Sequence, residues 1–128
     1  MENYFWFSIF VAANSTILFL LAMNVSLLRL KLKISVGDGG DKRMLYAMRA
    51  HSNGIEQVPI FGLTILALTL LQTSGTMLAI LVLIFTVSRI LHGYGMAFKF
   101  FIGRRIGAAL TYFLQVFGIF VLIHKLFL

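Results

Sequence analysis

Arg49-Ala50-His51-Ser52-Asn53-Gly54-Ile55-Glu56-Gln57-Val58-Pro59 opens an apolar run that continues to Leu71. Arg49, Asn53 and Glu56 stand at i, i+4 and i+7, so a helix puts all three on one face. The run is long enough to cross the hydrocarbon core of a bilayer. Ionisable groups at such depth face a partner, a cavity or a substrate. The reading of this stretch therefore decides both the fold and what its polar face is for.

Composition points the same way. The 128 residues are 60% hydrophobic and only 12% charged, with a mean hydropathy of +0.97. Soluble domains carry roughly a quarter charged residues, so too few are present here to cover a water-facing surface, and lipid is the implied solvent. The net charge of +7 does not imply nucleic acid, because the basic residues flank apolar runs, as in cytoplasmic loops against anionic headgroups. There is no cysteine, so any thiol in the chemistry arrives with a substrate. Three histidines far apart in sequence argue against a metal site.

Four apolar segments are predicted to be helices, at about 4–28, 46–71, 76–97 and 106–127. None shows the two-residue alternation of a membrane barrel, and open strands leave backbone groups unpaired in lipid. The fold class is all-α, one integral membrane four-helix domain over 1–128. Glu2 stands where a signal peptide would be basic, so the first run reads as a retained span. The stretch from Arg29 to Arg43 reads as a flexible polar loop, Gln72–Gly75 as a short turn, and Lys99–Arg105 as a basic connection that Gly103 can break. Lysine and arginine bias puts the first and third loops in the cytoplasm and both termini on the other side.

That topology assigns depth. Asn24, Arg49, Asn53, Arg89, His92 and Arg105 all fall in the cytoplasmic half of their segments, in one layer. Glu56 lies about 15 Å of helix rise beyond Tyr46. A carboxylate near the midplane costs on the order of 3 kcal/mol, so Glu56 is expected to point inward to a cation, Arg49 or Arg89. Each residue also has a plainer role. Arg49 and Arg89 can snorkel to headgroups, Asn53 and Asn24 can join helices, His92 can pack at a wall, and Tyr112 can be core or interface. Glu56 can serve an ion pair or a ligand. Of the adjacent Arg104 and Arg105, one suffices for orientation.

The Arg49–Pro59 stretch resembles the signature of the MAPEG family, membrane-associated proteins in eicosanoid and glutathione metabolism. Ser88-Arg89-Ile90-Leu91-His92 and Arg105-Ile106-Gly107 extend the likeness over the whole chain, and small bacterial members are the most similar. The resemblance implies a homotrimer in the bacterial inner membrane, with glutathione bound between subunits as co-substrate and no metal. It implies that Arg49, Asn53, Glu56, Arg89 and His92 hold glutathione and that Arg105 stabilises its thiolate. Asn24 and Tyr112 are possible lining. The chain departs from the family pattern at Met96, where many members have tyrosine, and at Ser52, where some have a basic residue.

The implied function is thiolate activation for attack on lipophilic electrophiles or hydroperoxides, of glutathione transferase or peroxidase type. The implied partners are glutathione, a lipophilic small molecule or lipid, membrane lipids and further copies of the chain. Two other classes fit the same segments. A small multidrug-type transporter expects the carboxylate to be nearly the only charge in its layer, whereas arginines share it here. A non-catalytic membrane scaffold fits the departures at Met96 and Ser52.

Overall fold

The structure is a computed structural model that describes the backbone from residue 2 to residue 128 and the side chains from Tyr4 onward. The Glu2 side chain, which bears on the signal-peptide reading, lies outside the described residues. The chain forms four helices, α1 (Glu2–Leu32), α2 (Lys42–Leu70), α3 (Gly75–Ala97) and α4 (Phe101–Phe127). Each contains a window apolar and long enough to span a membrane. Among the described residues no strand occurs. The chain is an integral membrane four-helix protein.

Antiparallel neighbours follow from the short connections. α2 and α3 form the centre, α1 packs on one side of them and α4 on the other, and among the described residues α1 does not touch α4. One half of the bundle is closed by an aromatic trio. Phe61 of α2 and Phe85 of α3 stack with centroids 4.1 Å apart, and Phe10 of α1 lies against both at 6.0 and 5.6 Å. Ile65, Leu68, Leu78, Leu81 and Leu114 complete that core. Outward-facing Phe19, Ile60, Leu63, Phe113 and Phe120 remain exposed, as expected where the surroundings are acyl chains. Asn14, fully buried on α1, donates from Nδ2 to the Phe10 carbonyl and to Thr86 Oγ1, both at 3.1 Å.

Several boundaries differ from those read in the sequence. α1 runs a turn further, to Leu32, and α2 begins four residues earlier, at Lys42. Asp41 caps α2, its Oδ1 accepting from Arg43 N at 2.8 Å. The Arg43 side-chain hydrogen bond holds the Asp41 carboxyl at about 2, below its ordinary value. The charged cap is thus complete above the ordinary carboxylate range and is lost only as pH falls through about 2. The first loop carries hydrogen bonds of its own. Arg29 Nη1 donates to the Gly37 carbonyl at 2.9 Å and the Ile34 carbonyl at 3.4 Å, and Gly40 N donates to Asp38 Oδ1 at 2.9 Å.

α4 starts at Phe101, five residues before its predicted start, and Gly103 lies inside it rather than breaking it. The reason is contact. Gly103, Gly107 and Gly118 are buried along α4, and a Cβ on Gly107 would lie 2.5 Å from both the Ser88 carbonyl oxygen and His92 N. Glycine lets the α3 and α4 backbones touch there, the small-residue contact that brings membrane helices together.

Gly107→Ala is expected to force α3 and α4 apart and lower stability by about 1–3 kcal/mol, read as a lower thermal midpoint in detergent. Gly75→Ala is the control. Its Cβ meets only Trp6 Nε1 at 3.9 Å, an ordinary contact, and its midpoint should not move.

Candidate functional site

Below the aromatic trio the bundle centre changes character. α3 brings Ser88, Arg89 and His92 to its buried face, and α4 answers with Thr111. Arg89 is only 2% exposed. Its Nη2 donates to Asn53 Oδ1 of α2 at 2.7 Å and lies 3.4 Å from His92 Nδ1. Its Nη1 donates to Thr111 Oγ1 of α4 at 3.2 Å. Thr111 Oγ1 also lies 3.0 Å from Ser88 Oγ and 2.7 Å from the Gly107 carbonyl oxygen. One guanidinium thus joins α2, α3 and α4 through neutral partners. Among the described residues the one ion pair is Arg43–Asp41, at the start of α2.

Beside this cation α2 and α3 enclose a polar cavity of about 80 Å³, lined by Arg49, Ser52, Asn53, Glu56, His92 and Met96. Arg49, Asn53 and Glu56 reach it from successive turns of α2, so the face read from their spacing exists. His92 and Met96, four apart on α3, form the opposite wall. Asn53 belongs to both structures. Its Oδ1 is held by Arg89, which leaves Nδ2 as the donor available to the cavity.

Glu56 behaves differently from the inward ion pair expected for it. It is exposed, and neither Arg49 nor Arg89 pairs with it among the described residues. Arg89 points into the bundle to Asn53 and Thr111 instead. Arg89 is also not a surface snorkelling residue, since its guanidinium is buried.

Arg105 is exposed on α4 and does not line the cavity, and Tyr112 is exposed as well. The neighbouring Arg104 is half-buried, its Nη1 reaching Met96 Sδ at 3.8 Å. Arg104 is therefore the α4 cation nearest the cavity within one subunit. Asn24 sits on the other side of Arg89, in an apolar groove of about 270 Å³ between α1 and α3 whose walls include Leu20, Ile90 and Tyr94. The sequence reading missed Ser88, Thr111 and Arg104 as parts of this centre. It also missed the α2–α4 hydrogen bond from Gln115 Nε2 to Gln57 Oε1.

Comparison with known proteins agrees with this architecture. The MAPEG family model matches residues 7–124. The Inner membrane protein YecN of Escherichia coli strain K12 is 26% identical over 105 residues, which cover 82% of this chain and 80% of that protein. The protein of the same name from Escherichia coli O6:H1 strain CFT073 has the same identity and coverage. No solved structure matches the chain.

Removing the Asn53 acceptor leaves the buried Arg89 short of its closest partner. Asn53→Ala should lower unfolding stability by about 1–3 kcal/mol, measured by thermal melting in detergent. Asn53→Asp, which keeps an oxygen at that place, should retain most of it.

Proposed function

The chain belongs to the MAPEG family, and from that premise we propose that it is an inner-membrane protein that binds glutathione and activates its thiol. The observation that carries this reading is the polar cavity itself, where Arg49, Asn53, Glu56 and His92 converge. Glutathione bears two carboxylates, an ammonium and a thiol. Arg49 offers planar donors to a carboxylate. Glu56, left without a cation of its own, suits the ammonium, and the Asn53 amide donates to a peptide or carboxylate oxygen.

The cavity volume of about 80 Å³ is well below the roughly 300 Å³ at which drug-sized ligand pockets begin. One charged end of the tripeptide fits within a subunit, and the remainder needs further walls. A second copy of the chain supplies them in this reading, which agrees with the homotrimer implied by the family resemblance.

The chemistry requires a thiolate. A free thiol has a pKa of about 8.5, and a guanidinium at the sulfur lowers it, each unit corresponding to about 1.4 kcal/mol. The candidates are Arg104, half-buried against Met96 of the cavity wall in the same subunit, and Arg105, exposed on α4 and so open to a neighbouring copy. The thiolate then attacks a lipophilic electrophile, forming a carbon–sulfur bond as the leaving group departs. With a hydroperoxide it takes the terminal oxygen as the O–O bond breaks and the alkoxide leaves as the alcohol, giving glutathione sulfenic acid. A second glutathione thiol converts this to the disulfide and water.

Calorimetry on the detergent-purified protein should give saturable glutathione binding. Arg49→Ala and Glu56→Gln should each weaken it about tenfold or more, which corresponds to 1.4 kcal/mol. The ultraviolet thiolate band should form near neutral pH and be lost in Arg104→Ala or Arg105→Ala, whichever guanidinium meets the sulfur. Absence of binding at millimolar glutathione would remove the proposal. Binding with no thiolate would favour the scaffold reading, in which Met96 occupies the wall where many family members have tyrosine.

A further inference from the structure

At the end of the bundle away from the arginine layer, the α2–α3 turn and the last turns of α4 bound a second groove. Its volume is about 340 Å³. The turn places Thr73 and Ser74 on one side. Ser74 caps α3, its hydroxyl accepting from Met77 N at 3.3 Å. Thr73 is 2% exposed, lines the groove, and its Oγ1 has no hydrogen-bond partner among the described residues. α4 supplies Phe117, Phe120 and Val121 as an apolar floor and then His124 and Lys125 in its last turn.

We propose that this groove binds an anionic phospholipid of the leaflet opposite the arginine-rich end. Its phosphate lies among the α3 N-terminus, His124 and Lys125, and one acyl chain lies along the phenylalanines. Three features converge on an anion. The first-turn N–H groups of a 23-residue helix carry partial positive charge. Lys125 adds a full charge and His124 a ring donor, and among the described residues no carboxylate lines the groove. A buried hydroxyl without a partner among the described residues is an unfavourable state for the protein alone, and rotation of the Thr73 side chain toward a phosphate oxygen in the groove relieves it.

The floor selects a lipid over a soluble anion. Phe117 lies eight residues before Lys125, about 12 Å of helix rise, so the groove runs from headgroup level into the hydrocarbon. A molecule with an anionic head and an apolar tail matches that polarity along its length. Free phosphate would satisfy only the upper end.

The test is native mass spectrometry of the full chain in detergent, titrated with phosphatidylglycerol and with phosphatidylcholine of the same chain length. Thermal midpoints of the variants report folding. The expected result is preferential retention of one phosphatidylglycerol per chain. His124→Ala/Lys125→Ala should reduce it at least tenfold. Thr73→Val should reduce it severalfold, with Thr73→Ser restoring it. Equal retention of the two lipids, or retention unchanged in the double variant, would overturn the proposal. Displacement of the lipid by millimolar inorganic phosphate would reassign the groove to a soluble anion and overturn it as well. The chain has no cysteine, so Phe120→Cys gives a clean final check. Spontaneous disulfide dimers in membranes would mean that a second copy, not a lipid, covers the groove.

Discussion

A guanidinium buried at the centre of a membrane bundle is the constraint around which the other features arrange themselves. Among the described residues Arg89 has no carboxylate beside it. It is held by an amide oxygen from α2 and a hydroxyl from α4. Neutral partners stabilise a buried cation less than an anion does, so the geometry has to be good and every partner has to stay. This explains why three helices meet so closely at one level. α3 carries the cation, and α2 and α4 are fixed in rotation by having to reach it. The aromatic trio in the other half is indifferent to such detail, because dispersion and area are tolerant of small rotations.

Close approach is the second consequence. For Thr111 to reach Arg89 and Ser88 together, α4 must lie almost backbone to backbone on α3. Gly107 makes that possible, and its carbonyl oxygen in turn lies against the Thr111 hydroxyl. The glycines of α4 are therefore part of how the arginine is housed. The same contact seats Arg104 on Met96, so cavity wall and buried cation share one supporting surface.

The sequence made the spans plain, because few charges interrupt runs that each exceed the width of hydrocarbon. It also made plain the face of Arg49, Asn53 and Glu56, since three polar residues at helical spacing in an apolar run have little other explanation. What stayed hidden was rotation between helices. Pairing Glu56 with Arg89 needed the phase of α2 against α3, and that phase brought Asn53 to the arginine instead. The choice between Arg104 and Arg105 was a choice between directions about 100° apart, set by how α4 lies on α3. Hydroxyls were silent for another reason. Exposed Thr16 and half-buried Thr64 bond their own helix carbonyls, and Thr111 does the same while holding an arginine. In sequence the three look alike.

Glu56 has no cation paired with it among the described residues. Glu56 and Arg49 are both exposed in one subunit, on a helix face that also shows Ile60 and Leu63. Lipid suits the last two and not the first two, since a charge facing hydrocarbon near the midplane costs on the order of 3 kcal/mol. Water suits the first two and not the last two. A second protein surface against the apolar residues, with a ligand carrying both signs of charge between the polar ones, suits all four. A zwitterionic peptide with carboxylates for Arg49 and an ammonium for Glu56 has that charge pattern. On this reasoning the incompleteness of the cavity and the exposure of its charges have one cause. In the proposed function, the single subunit displays half of a site whose remaining walls would be the ligand and a neighbouring copy.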